Sequence, residues 1–262
     1  MKTYFWIPCL LIGSLLSQAP AQAQRVFGVK AGGTFTHGAT NIPAQPISTG
    51  LQIPEIKNKN NGIGIGYSAG VWGRQDVGSF FLQAEVTYNR FVLKQKTDLT
   101  LDVNALAVLA RQQLPVQIPN GLVTGTLHSD SESSLHSVNV PILIGKRLAN
   151  QKVRIFAGPN FIFVAKAEGK QKITGQVNGN SSIGVPTIPV STERTTDLLS
   201  SDAGILQVKP FTFALEAGIG VNPLPKLEVD LRYAVPVGGV YNDKGITGYL
   251  GIASLTVGYQ LF

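Results

Sequence analysis

The sequence predicts an all-β fold, namely an eight-stranded antiparallel up-and-down transmembrane β-barrel with long extracellular loops. Three observations predict it: an export signal at the N-terminus, eight runs with period-two hydrophobicity, and connections that alternate between long and short. The composition agrees, because charged residues make up only 14% of the chain, against about 25% in typical soluble proteins. No run after the signal is apolar for long enough to form a transmembrane helix.

The first 23 residues have the organisation of a secretory signal peptide. Lys2 precedes an apolar run that is too short to span a bilayer as a helix, and Ala21 and Ala23 form a small-x-small cleavage site. We therefore expect residues 1–23 to be removed and residues 24–262 to form the barrel domain in the cell outer membrane. Cleavage takes away Cys9, the only cysteine, so thiol and disulfide chemistry are excluded from the mature chain.

The basic balance of the chain forms no concentrated patch. The formal charge of +7 falls to +6 once Lys2 is removed, and the other Lys and Arg residues are spread along the sequence. This distribution is typical of ordinary solubility charge, and attraction to anionic lipid headgroups or other polyanions is the alternative. We expect no nucleic-acid partner.

Eight runs alternate between apolar and polar residues, as half-buried strands do. The clearest are PFTFALEAGIGVN and KLEVDLRYAVPV, in which one face is apolar and the other carries charges or glycine. The run KVRIFAGPNFIFVAK is the least regular. The eight runs occupy residues 25–38, 61–76, 80–90, 137–147, 152–166, 210–222, 226–237 and 247–262.

The connections fix the topology, because outer-membrane barrels place long loops outside the cell and tight turns in the periplasm. Short connections fall at 75–78, 149–151 and 223–225, where Asp76, Gly78 and Pro225 supply turn residues. The remaining connections, at 38–61, 98–132, 169–208 and 238–246, are predicted to be extracellular and mobile. Residues 101–114 favour a short helix over the barrel mouth, and a strand extending beyond the membrane is the alternative.

Residues 61–76, NGIGIGYSAGVWGRQD, match two catalytic patterns at once. Gly64, Gly66 and Ala69 fit a dinucleotide-binding fingerprint, while Ser68 between Gly66 and Gly70 fits the nucleophile elbow of hydrolases. Both patterns require a helix directly after the glycines, and VWGRQDVGS does not provide one. We interpret the stretch as a strand whose glycines and Ser68 face the lumen.

No catalytic, metal or cofactor site is predicted. Ser134 and His136 form the best nucleophile and base pair. They lie four and two residues before Val138, so all three share the outward face, near the outer rim. A rim pair without chemistry is the commoner case. The three histidines, His37, His128 and His136, lack metal-ligand spacing with carboxylates, so we expect a protein that is not an enzyme.

The polar faces of the runs place charges of both signs in the lumen. Strand directions put Lys30, Glu85, Glu216 and Arg232 near mid-height, with Arg74, Arg147 and Arg154 nearer the periplasmic end. With Arg154, Glu228 and Asp230 these mid-height residues make the predicted luminal charge network. An unpaired charge in a narrow barrel would cost several kcal/mol, so we expect ion pairs that close the lumen. A wet, loosely paired interior is the alternative.

The residues resemble a known family, the PorT-type, porin-family outer-membrane β-barrels of Bacteroidota. The resemblance lies in FGVKAGGTFT, FLQAEVTYN, SVNVPILIGKR and the terminal VGYQLF, and it extends over the whole mature chain. It implies an eight-stranded barrel and no defined activity. The terminal Phe262 is out of register with the apolar set that ends at Leu261, so we expect a bulge there and recognition by the barrel assembly machinery.

The expected function is that of a monomeric, non-enzymatic anchor with a closed narrow lumen, held in outer-membrane lipids. Its long surface loops would present a site for binding or adhesion, with a surface ligand as partner. The alternative is a transport or secretion accessory, in which the barrel passes small solutes or supports an export machine. No aromatic cage or basic cluster in the loops identifies a ligand.

Overall fold

The computed structural model describes residues 25–48, 51–102, 104, 123–148, 152–177 and 188–262. The predicted signal peptide, the turn 149–151 and most of the helix predicted over 101–114 lie outside these residues. Leu101 and Asp102, at the start of that predicted helix, belong to a strand. Within the described residues, no helix has both the length and the apolar character needed to cross a membrane.

The described residues form twelve strands and a short 3₁₀-helix, Ser201–Leu206. The strands are β1 (Arg25–Ile42), β2 (Gln45–Ser48), β3 (Leu51–Ile53), β4 (Ile56–Asn60), β5 (Gly64–Val77), β6 (Phe80–Asp102), β7 (Thr124–Leu148), β8 (Val153–Val177), β9 (Ile188–Asp197), β10 (Phe211–Leu224), β11 (Leu227–Pro236) and β12 (Thr247–Gln260). Strands β2 and β3 pair only with each other. Each of the eight predicted runs coincides with one of the long strands.

Eight of these strands close into a ring in which every neighbouring pair is antiparallel. The order around the ring is β1, β5, β6, β7, β8, β10, β11 and β12, and β12 pairs back with β1. Closure leaves no free sheet edge at the level of the membrane, where an unpaired backbone group would be costly. The predicted eight-stranded up-and-down barrel is confirmed.

Side chains alternate between the lumen and the outer surface, as the period-two pattern predicts. In β5, Ile65 and Val71 are exposed on the outside, whereas Ser68 and Trp72 are buried inside. Exposed apolar residues on the outward face are what a lipid-facing surface requires. The predicted placement of this stretch is therefore correct.

The luminal glycines of β5 leave room for hydrogen bonds between its two neighbours, β1 and β6, over its inner face. Thr34 and Thr36 on β1 lie opposite Gly66 and Gly64, and their hydroxyls donate to backbone oxygens on β6, at Arg90 and Val92. A Cβ atom on Gly66 would collide with the Arg90 oxygen and with the Thr34 hydroxyl. The closely spaced glycines that imitate a nucleotide fingerprint thus make room for these hydrogen bonds.

Three of the barrel strands, β6, β7 and β8, continue beyond the barrel as a further sheet, which we call the extension. Strand β6 pairs with β7 as far as Asp102 and Thr124, β7 pairs with β8 as far as Val177, and β4 and β9 join its two sides. The long connections predicted as mobile loops at 98–132 and 169–208 are therefore partly sheet. The prediction missed this because the outer face of the extension is polar and its inner face is apolar only around Leu101 and Leu127, so hydrophobic alternation is weak.

The irregularity of the run at 152–166 is a β-bulge in β8. Val164 pairs with Ser137 and Lys166 pairs with His136, which leaves Ala165 as an extra residue. Val164 and Ala167 are both buried on the inside, whereas Lys166 is exposed. The bulge therefore reverses the parity of β8 and turns Lys166 to the outer surface.

The periplasmic turns are tighter than predicted. Strand β5 continues through Asp76 to Val77, so the turn consists of Gly78, at a φ of 62°, and Ser79. Asp76 was expected in this turn, but its side chain is buried in the lumen. The β10–β11 turn, predicted at 223–225, consists of Pro225 and Lys226. It follows a register shift between Val221 and Leu224.

Candidate functional site: the luminal charge network

All seven residues predicted for the network lie in the lumen, where they are 7% exposed or less. Arg74, Asp76 and Arg147 complete the set, so five cations face five anions and the formal charges cancel. The cations are Lys30, Arg74, Arg147, Arg154 and Arg232, and the anions are Asp76, Glu85, Glu216, Glu228 and Asp230.

The centre of the network is Arg232 on β11. Its guanidinium donates to Glu85 at 2.7 Å, to Glu216 at 3.0 Å and to Asp230 at 2.7 Å. Lys30 on β1 donates to the second Glu85 oxygen at 2.9 Å. These contacts tie together four strands at mid-height, and each carboxylate has at least one cationic donor.

A second layer lies nearer the periplasm. Arg154 bridges Glu228 at 2.5 Å and Asp230 at 2.8 Å, while Arg74 donates to the other Glu228 oxygen at 2.5 Å. Arg147 binds Asp76 at 2.6 Å. Asp230 lies within reach of both layers, so the ten charges form one connected group. Sequence reasoning missed Asp76 because an acidic residue beside a glycine is typical of a turn.

The upper lumen is filled by apolar side chains. Phe91, Ile162 and Ile252 from the barrel wall pack against Leu198 and Val208, which belong to the segment around the 3₁₀-helix. This segment therefore covers the mouth of the barrel. The cavities left in the lumen are small, about 40 Å³ in the polar part and about 40 Å³ in the apolar part, room for a few waters at most.

The rim pair Ser134 and His136 is not joined as a nucleophile and its base. The hydroxyl of Ser134 accepts from Nε of Arg90 at 3.1 Å, and Nδ1 of His136 is 2.7 Å from the Tyr88 hydroxyl. The outward placement expected for Ser134 and His136 is correct, but they do not bond to each other. Among the described residues, no group of three or more His, Cys, Asp or Glu side chains is placed to hold a metal ion.

The outer face of the extension carries charges of alternating sign across its strands. Lys94, Glu132 and Lys170 form one cross-strand row, and the next row outward continues the alternation. That second row consists of Lys96, Asp130, Lys172 and Glu193. Between the rows lies an open cleft of about 420 Å³, to which Asn61 and Arg194 also contribute.

His128 lies further out on the same face, between two carboxylates. Its Nδ1 is 2.6 Å from Asp98 and its Nε2 is 3.5 Å from Asp130. The hydrogen bond to Asp98 raises the pKa of His128 above its usual value and lowers the pKa of Asp98. The stabilising charge of His128 is therefore present below its unfolded pKa, about 6.5, and is lost as the pH rises through the folded value.

We expect the imidazole resonances of His128 to titrate with a midpoint above 6.5, measured by NMR. In Asp98→Asn the midpoint should return towards that value, because the charged acceptor is gone. Asp130→Asn is the matched control and should move the midpoint less, since Asp130 acts through its charge at a longer distance. Equal midpoints in the wild type and Asp98→Asn would contradict the assignment.

A family model described as an outer membrane protein beta-barrel domain matches residues 18–242. No curated protein matches the chain.

Three solved structures are similar at low identity. Ail, the attachment invasion locus protein of Yersinia pestis, solved with the heparin analogue sucrose octasulfate, is 13% identical, with 91% of this chain and 99% of that chain covered and a TM-score of 0.36. Neisserial surface protein A is also 13% identical, with 90% and 97% covered and a TM-score of 0.32. The outer membrane protease OmpT of Escherichia coli is 10% identical, with 90% and 96% covered and a TM-score of 0.26. The family match spans well over half of the sequence, and the chain belongs to the outer membrane protein β-barrel domain family.

Proposed function

We propose that this outer-membrane barrel is a non-enzymatic anchor with a closed lumen, which holds the extension at the cell surface for binding or adhesion. The observation that carries the proposal is the double filling of the lumen. Ten mutually paired charges occupy its lower half, and an apolar cluster that includes Leu198 and Val208 occupies its upper half. Such an interior supports a structural role for the barrel and leaves the extracellular sheet as the part that contacts partners.

The extension has the properties of a presentation surface. From Arg90 to Asp102, β6 continues for about 40 Å along its own direction, at roughly 3.4 Å per residue. Its outer face combines alternating charges with a cleft of about 420 Å³, and exposed charges favour selectivity and rapid encounter over raw affinity. A partner that carries both charge signs fits this surface.

Our proposals on export, on the branch of the family and on the oligomeric state rest on the sequence. The signal-like N-terminus supports export with cleavage after Ala23, and the motifs FGVKAGGTFT and SVNVPILIGKR support a PorT-type barrel of Bacteroidota. A monomer inserted by the barrel assembly machinery is the form in which the anchor would work.

The experiment has two arms, both with the full chain. In planar bilayers, the purified protein should give no stable conductance steps, because the lumen is filled. On bacteria, replacement of residues 171–194 by Asn-Gly should abolish retention on immobilised polysaccharides and proteins that retain the wild type. This deletion preserves the pairs of Lys170 with Thr195 and of Gly169 with Thr196, so the base of the hairpin stays in register.

The matched control removes residues 45–53, the β2–β3 hairpin, and should leave retention unchanged. A slower-migrating band after heating, seen on gels for each variant, verifies that the barrel has folded. Stable conductance of the wild type would overturn the closed lumen and favour the transport or secretion role. Unchanged retention after deletion of 171–194 would overturn presentation by the extension.

A further inference from the structure

Three basic side chains lie side by side on the outer surface of the barrel. Arg90 on β6 pairs with His136 on β7, and His136 pairs with Lys166 on β8. Directly paired residues on adjacent antiparallel strands have Cβ atoms about 5 Å apart on one face. We call Arg90, His136 and Lys166 the basic row.

The bulge in β8 creates this row. If Ala165 occupied a regular ladder position opposite His136, Lys166 would follow the parity of Val164 and point into the lumen, where it would meet the apolar cluster. With the bulge, Lys166 comes to the outer surface next to His136 and is exposed. Bulges commonly redirect a side chain beside a functional site.

The basic row has hydrogen-bond donors to spare. Arg90 uses Nε to bind Ser134, and its two terminal nitrogens have no partner among the residues that the structure describes. His136 uses Nδ1 towards Tyr88, and its Nε2 has no hydrogen-bond partner among the described residues. Lys166 has one ion pair, with Glu168 at 2.9 Å, and both side chains are well exposed, so the pair contributes little.

The height of the row matches the outer boundary of the membrane. From Phe80, beside the periplasmic turn, to Arg90 there are ten steps along β6, about 34 Å at roughly 3.4 Å per residue. A strand tilt of about 40° reduces this to about 26 Å, close to the apolar band of about 25 Å in outer-membrane barrels. The next outward residues towards the periplasm, Tyr88 and Phe163, are exposed aromatics, as expected at the edge of the hydrocarbon layer.

We propose that the basic row is a binding site for the phosphate group of an outer-leaflet lipid headgroup. The free guanidinium nitrogens of Arg90 suit two phosphate oxygens, and Lys166 adds a point charge from the other side. Tyr67, which pairs with Arg90, and Tyr88 form an aromatic wall beside the headgroup. The acyl chains then run along the apolar surface that begins at Phe163.

Native mass spectrometry of the detergent-solubilised full chain tests this with monophosphorylated lipid A as the probe. The double variant Arg90→Gln/Lys166→Gln should bind this lipid about tenfold more weakly, a difference of about 1.4 kcal/mol, because both charged donors to the phosphate are lost. Lys172→Gln is the matched control, because Lys172 is equally exposed on the same face and also has one carboxylate partner. It should bind within about twofold of the wild type, a difference well under 1.4 kcal/mol.

Two further measurements distinguish a lipid phosphate from the lipid alone and from free phosphate. Lipid A without its phosphate should bind as weakly to the wild type as the phosphorylated lipid binds to the double variant. Millimolar inorganic phosphate should leave the bound lipid in place, because it lacks the contacts with the aromatic wall. Equal binding of the phosphate-free lipid, displacement by inorganic phosphate, or unchanged affinity of a folded double variant would each overturn the proposal.

Discussion

Replacement of Arg232 by methionine is expected to destabilise the barrel by about 3 to 5 kcal/mol, the cost of leaving buried charges without their partner. Arg232 is the donor shared by Glu85, Glu216 and Asp230, and its removal leaves the network with a net negative charge. The measurement is urea unfolding in lipid vesicles, followed by the fluorescence of Trp72. That side chain lies in the lumen and is the only tryptophan after the predicted signal peptide.

The double variant Arg232→Met/Glu216→Gln separates charge balance from packing. It restores a neutral lumen, so its loss of stability should be smaller than the sum of the two single changes. Arg194→Met, on the exposed extension, is the control and should change stability by less than about 0.5 kcal/mol. A loss below about 1 kcal/mol for Arg232→Met, as for a solvated ion pair, would favour the wet, loosely paired interior.

The second large effect is expected from Gly66→Ala. The added methyl group collides with the backbone oxygen of Arg90 and displaces the Thr34 hydroxyl that bonds to it. Backbone cannot move as a side chain can, so we expect a loss of about 3 kcal/mol and a smaller folded fraction. The fraction is read from the heat-dependent shift in gel mobility after refolding.

Gly33→Ala is the matched control for this change. Gly33 lies on the neighbouring strand β1, but a Cβ atom there would point outward and meet the Phe35 ring at 3.3 Å and the Gly66 oxygen at 4.0 Å, without a collision. We expect refolding like that of the wild type. If both glycine variants refold equally well, the hydrogen bonds across β5 do not hold the barrel wall together.

The barrel itself could be predicted because the membrane imposes a simple pattern on its strands. Lipid on one side and a polar lumen on the other give β10 and β11 an alternation that survives in the sequence without any alignment. The same alternation identified Lys30, Glu85 and Arg232 as luminal, since only parity and strand direction were needed. Which charges pair with which depends on side-chain reach across the lumen, and the sequence carries no such information.

The extension and the covered barrel mouth could not be predicted in the same way. Segments such as HSDSESS in β7 have water on both faces, so their polar residues are typical of loops as well as of strands. Leu198 and Val208 pack against Phe91 although more than 100 positions separate them in the chain. Phe91 could have indicated the covered mouth, because it is an apolar residue at a position of β6 that faces the lumen.

The extra residue in β8 divides that strand into two registers. Even-numbered residues face inward up to Val164, and Ala167 begins an odd-numbered inward set. Loss of Ala165 alone would give a regular ladder that keeps Lys166 outward and Ala167 inward, whereas one residue added to the regular ladder beyond the bulge would exchange the faces of everything further out. The surface sheet can therefore lengthen or shorten by two residues at a time while the membrane wall stays unchanged, so this position is a natural junction for grafting a different surface sheet onto the same barrel.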